Sequence, residues 1–140
     1  MKSKTLDRLD LIRASQEMRL LEEITRQNNR LLEVAEQQQI LSNYRGKLAE
    51  SWQGGTITDA GNLRRSSAFF VASGEASDQI ARIEQVTLEA LEEAQASLAL
   101  SQSYRKTIAE VRHGLTQVEE RRATTRAELA FSRGPSRSRP

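Results

Sequence analysis

The sequence predicts an all-α protein: two long helices forming an antiparallel coiled-coil hairpin, with a short helical excursion at the turn and a disordered basic C-terminal tail. Three observations predict it. Seam positions recur at alternating steps of four and three through Leu20, Ile24, Gln27, Leu31, Val34, Gln38, Leu41, Arg45, Leu48 and Trp52. The same count from Ala76 passes through Ile80, Ile83, Thr87, Ala90, Ala94, Ser97, Ser101, Tyr104, Ile108, Val111, Leu115, Val118, Arg122, Thr125 and Leu129. One Gly-rich break, Gln53 to Asp59, separates the two stripes. Two helices with apolar seams at heptad spacing and a short connector fold back on each other.

Composition narrows the class. A chain of 140 residues is one domain by length. Aromatics at 4% and charged residues at 29% suit a solvated two-helix layer better than a packed globule. Cysteine is absent, which excludes disulfides and thiolate metal sites. No apolar run reaches the roughly 18 residues that a membrane span needs. The N-terminal decapeptide lacks the apolar stretch of a signal peptide, so the expected location is the cytoplasm. The net charge of +2 is a property of the tail: Arg133, Arg137 and Arg139 lie among residues 132–140 without an acid. Taking those three from 21 bases leaves 18 against 19 acids, or −1 for the rest. The tail reads as a solvated terminus, with too few charges to claim nucleic acid as a partner.

Helix 1 is expected over about residues 5–53, where Leu, Glu, Gln, Arg and Ala dominate and Pro is absent. Upstream of Leu20 the spacing of Leu6, Leu9 and Ile12 by threes reads as a slip in register. The connector is expected over 54–74: Gly54 and Gly55 end helix 1, and Thr58 or Asp59 caps a following segment. That segment, Ala60 to Ser73, is expected to form the helical excursion, and the residues leave open whether Gly74 breaks the chain there or sits inside one helix. Helix 2 is expected over about 75–131, and the disordered tail over 132–140. In helix 2, Leu88, Leu91 and Leu98 make a second stripe beside the small residues Ala90, Ala94, Ser97 and Ser101. A two-helix pair cannot bury both, so either the seam rotates there or something else covers the leucines. A fold centred near residue 64 pairs positions whose numbers add to about 128, at about 1.5 Å of rise per residue.

No catalytic constellation is visible, and the expectation is a protein that is not an enzyme and takes no cofactor or metal. His113 is the only histidine, so His dyads and multi-His metal sites cannot be built in one chain. It lies off the seam, where a solvated surface is the plain reading. Glu22 and Glu23, Glu92 and Glu93, and Glu119 and Glu120 read as solvated faces serving helical pairs with Arg. Gly54 and Gly55 are not followed by the Gly-Lys-Ser/Thr of a P-loop.

Tyr44, Arg45, Gly46, Lys47 and Leu48 lead through Gly54 and Gly55 to Leu63 and Phe69, and then to a long Glu/Arg-rich helix. This pattern, over roughly Leu6 to Arg126, resembles the FliJ family, small coiled-coil proteins of the flagellar type III export apparatus similar in design to injectisome stalk proteins. The resemblance implies a non-enzymatic central stalk. It would insert into the hexameric flagellar export ATPase ring, promote its assembly and hydrolysis, and link it to the export gate's membrane protein on the cytoplasmic side. It implies ATPase contacts at the terminal end, here Leu6, Leu9, Ile12, Leu115, Val118, Arg121, Arg122 and Leu129. It implies an export-gate contact through Phe69, Ser73, Ala76 and Ile80, with Phe70 as an alternative anchor. Ser73 and Ile80 depart from the family's larger aliphatic residue and histidine. The residues themselves leave open whether Phe69 and Phe70 meet a partner or cap the hairpin. They also leave open whether export chaperones bind, and whether the system is a flagellum or an injectisome. The competing expectation is a generic cytoplasmic coiled-coil adaptor or homodimer without an ATPase partner.

Overall fold

The computed structural model describes residues 3–55 and 60–137, the side chains of 133–137 excepted. Two long helices, α1 (Ser3–Gln53) and α2 (Ala60–Arg137), account for the described chain apart from the turn at Gly54 and Gly55. They pack against each other. No helix among the described residues is long and apolar enough to cross a membrane.

Gly54 donates its N–H to the carbonyl of Glu50 at 2.8 Å, and Gly55 takes φ +68°. That left-handed step stops α1 at the cost a side chain would pay and glycine does not. The capping assigned to Thr58 or Asp59 lies outside the described residues. The expected connector over 54–74 is corrected: α2 starts at Ala60 and passes unbroken through Gly74. Ala60 to Ser73 is therefore the beginning of α2 and not a separate excursion. Glycine costs a helix interior about 1 kcal/mol, which flanking packing offsets. The Arg45 guanidinium lies only 3.1 Å from where a Cβ on Gly74 would stand. The C-terminal expectation is corrected too, since α2 continues past Phe131 to Arg137. Residues 138–140 of the expected tail lie outside the described residues.

The described chain forms two compact units, Leu20–Ser97 and Met1–Arg19 with Leu98–Pro140. In Leu20–Ser97 all ten expected α1 seam positions are buried or half-buried, Val34 most deeply at 5% exposure. Opposite them α2 turns in Phe70, Ser73, Ser77, Ile80, Thr87, Leu91 and Ala94. The helices run antiparallel here, with contacts from Tyr44 on Phe69 to Gln38 on Ser77.

In the other unit the same four-three count continues backwards from Leu20 through Glu17, Arg13, Asp10 and Leu6, all half-buried or buried. The expected slip is absent: Leu9 and Ile12 point away, at 38% and 54% exposure. On α2 the seam is Leu98, Ser101, Arg105, Ile108, Arg112 and Leu115. Of the expected stripe from Ser97 onward, Ser101, Ile108 and Leu115 hold, Ser97, Tyr104 and Val111 give way to Leu98, Arg105 and Arg112, and Val118, Arg122, Thr125 and Leu129 are exposed and so are not seam positions. The seam has rotated toward Leu91 and Leu98, because burying leucine gains more than burying serine or alanine. In both units paired numbers add to between 113 and 122, below the expected 128, because α2 begins earlier than expected.

The core is thin. Among the described residues only Leu6, Val34 and Ala94 are buried apolar residues, and Ser73, Thr87 and Ser101 are buried hydroxyls. Thr87 satisfies its hydroxyl on the Ile83 carbonyl at 2.7 Å, and Ser73 on the Phe70 carbonyl at 2.8 Å. Such back-bonding spares a seam hydroxyl the cost of lying unpaired.

Candidate interaction surfaces

At the turn of Leu20–Ser97 an aromatic cluster closes the helix pair. Phe70 packs on Trp52 with ring centroids 5.1 Å apart, and the Arg45 guanidinium lies 4.2 Å from the Phe70 centroid. Tilted rings and a cation over a ring face both add to the burial they bring. Phe69 leans on Tyr44 at 5.2 Å but stays 52% exposed. The five residues expected at an export gate therefore divide. Phe70, Ala76 and Ile80 are half-buried and Ser73 is buried at 5% exposure, while Phe69 presents an open face. Capping the pair is what Phe70 does here. The cluster is also polar at heart: Trp52 Nε1 and Arg45 Nε are buried without a hydrogen-bond partner among the described residues.

The unit containing Met1–Arg19 has a charged seam. Arg105 donates from Nε to Asp10 at 3.0 Å and from Nη1 to Glu17 at 2.9 Å. Arg112 pairs with Asp7, and Arg13 sits 4.3 Å from the Tyr104 ring centroid. The Arg105 hydrogen bond holds the Asp10 carboxyl below its ordinary range, against the smaller opposing push of burial. Its hydrogen bonds to Asp10 and then to Glu17 raise the Arg105 guanidinium above its ordinary value. Opposite charges favour each other's charged forms. The α1 spacing carried this signal, since Asp10, Arg13 and Glu17 fall on the heptad. The apolar count passed over it.

Beyond Leu115, α2 is exposed among the described residues. Asp7 already pairs with Arg112, and every described α2 side chain from Thr116 to Ser132 is exposed. The residues expected at an ATPase divide accordingly. Val118, Arg121, Arg122 and Leu129 are open on this stretch, Leu9 and Ile12 lie on the outer side of α1, and Leu115 is half-buried. Leu6 is 2% exposed and spent on the helix pair, so it offers no surface to a partner. His113 is exposed, with Gln117 Nε2 at 3.1 Å from its Nε2.

A further surface was not singled out by the sequence. Within Leu20–Ser97 an open groove of ≈ 390 Å³ is lined by Gln27 and Arg30 of α1 and by Arg82, Ile83, Val86, Thr87 and Ala90 of α2. Ile83 was expected in the seam, but the rotation leaves it on the flank at 39% exposure, beside Val86 at 65%.

Among the described residues no group of three His, Asp or Glu side chains could hold a metal ion. No protein-family model, curated protein or solved structure matches this chain.

Proposed function

We propose that this chain is a non-enzymatic stalk and coupling protein, an antiparallel coiled-coil hairpin serving a hexameric export ATPase of the flagellar type at the cytoplasmic face of the export apparatus. The reading rests on the resemblance to the FliJ family. The observation that supports it best is the exposed stretch of α2 beyond Leu115, where Val118, Arg121, Arg122 and Leu129 all face outward. A helix that carries spaced, exposed apolar residues suits binding to another protein. In this reading that stretch enters the ATPase ring. The open face of Phe69 meets the export gate, and Leu6 is a structural residue.

Two single substitutions separate the ends. Val118→Asp is expected to abolish binding to the purified export ATPase while sparing binding to the gate's cytoplasmic domain, and Phe69→Ala to do the reverse. Loss of both activities in each variant, with helicity intact, removes the assignment of separate ends.

A second reading has its own observation. Leu11 and Met18 stand seven residues apart on the outer face of α1, 71% and 65% exposed. A stripe of that kind suits a coiled-coil adaptor or homodimer that has no ATPase partner. Sedimentation equilibrium decides between them: a dimer dissolved by Met18→Glu favours the adaptor, and a monomer favours the stalk.

A further inference from the structure

The groove on the flank of Leu20–Ser97 has a floor and two rims. Ile83, Val86 and Ala90 follow each other at steps of three and four, so they form one stripe about two turns long on α2. Thr87 and Gln27, short or polar at the seam beside them, leave the stripe uncovered. Arg30 on α1 and Arg82 on α2 stand at the rims, and neither enters an ion pair or hydrogen bond among the described residues. No Asp or Glu is among the residues that line the groove; Glu33 and Asp78, three residues after Arg30 and four before Arg82, lie outside its lining and make no ion pair with either arginine among the described residues.

We propose that this groove docks an amphipathic helix of a partner protein, with an apolar edge flanked by Asp or Glu. A groove between two helices accepts a third as a helix-in-groove contact, read by residues at i, i+3, i+4 and i+7. The apolar floor supplies burial, and the two free guanidiniums select acidic flanks over basic ones. A second copy of this chain fits the charge requirement less well. The exposed apolar stripe through Leu11 and Met18 is bordered by Arg8 and Arg19 as well as by Glu22. This proposal uses residues apart from the exposed stretch beyond Leu115 and from Phe69, and it stands or falls independently of the stalk reading.

The test uses two dye-labelled designed peptides of about twenty residues, long enough for measurable helicity. Both carry leucine at one helical edge, and the flanking positions are Glu in one and Lys in the other. Each is titrated with the full chain by fluorescence anisotropy. The expected result is that the Glu peptide binds about tenfold tighter than the Lys peptide, a preference that shrinks as salt is raised. Val86→Asp, at an exposed position that leaves the fold intact, is expected to abolish binding. Arg30→Glu combined with Arg82→Glu is expected to reverse the preference. Equal binding of the two peptides, no binding of either, or a Glu preference that survives the double charge reversal overturns the proposal. So does a dimer of the chain that Val86→Asp dissolves, because a second copy would then own the groove.

Discussion

Leu6 and Ile12 carry opposite predictions although both were expected to face the same partner. Leu6 is 2% exposed and packs in the helix seam, whereas Ile12 is 54% exposed on the outer side of α1. Leu6→Ala removes three carbons, at about 0.8 kcal/mol for each buried methylene, or about 2.4 kcal/mol before any cavity is counted. The cavity adds little where a helix end can settle inward, so the total stands near the low end of the usual 2–5 kcal/mol. Ile12→Ala removes a side chain that is already mostly solvated and is expected to cost less than about 0.5 kcal/mol. Hydrogen exchange resolved by mass spectrometry reads the difference locally. A loss of about 2.4 kcal/mol accelerates amide exchange in α1 residues 8–17 roughly fiftyfold, if those amides open with the helix pair. Ile12→Ala is expected to change it by less than threefold. Equal acceleration by the two substitutions would refute the placement of Leu6 in the seam.

Glycine positions give a paired test by urea denaturation. A Cβ at Gly46 meets nothing within 4 Å, so Gly46→Ala is expected to stabilise by about 1 kcal/mol through helix propensity alone. Gly55 sits at φ +68°, so Gly55→Ala is expected to destabilise by about 1 kcal/mol. The charged seam predicts a pH effect with a defined sign. The Asp10 pKa is lowered in the folded chain, so its contribution is complete above the unfolded value of about 3.9 and is lost as pH falls through the lower folded value. Melting followed by circular dichroism should show this slope in the native chain and a weaker slope in Asp10→Asn. Added salt is expected to speed exchange in residues 3–19 more than in residues 31–48, because only the former rely on a seam of ion pairs.

The α1 seam was legible in the sequence over Leu20 to Trp52 because most of its positions are aliphatic and no rival stripe lies beside them. The α2 seam was half legible. Two stripes one residue apart compete there, and Ser97 against Leu98 is settled by burial. Choosing Arg105 over Tyr104 and Arg112 over Val111 required knowing that Asp7, Asp10 and Glu17 stand opposite, which a periodicity count within one helix does not contain. The charged heptad positions Asp10, Arg13 and Glu17 disguised a continuous register as a slip. Propensity alone left open whether Gly74 breaks the chain or sits inside one helix; it sits inside α2, where the Arg45 guanidinium comes close to it.

The candidate surfaces were less legible than the fold. Phe69 and Phe70 are adjacent, and which one turns inward depends on where α2 begins. With the start at Ala60, Phe70 falls onto Trp52 and Arg45, and Phe69 keeps its open face. The exposure of Val118 to Leu129 depends on the pairing register, which a stripe alone does not set. The groove beside Ile83 arises from the seam rotation, so no count that placed Ile83 in the seam could find it.

The central claim is the stalk, and its most direct measurement is ATP hydrolysis by the purified hexameric flagellar-type export ATPase as this chain is titrated in. The account predicts stimulation that saturates near one chain per hexamer and is lost in a chain carrying both Val118→Asp and Leu129→Asp. Absence of stimulation by the folded, helical chain would contradict the account, and so would stimulation that survives both substitutions.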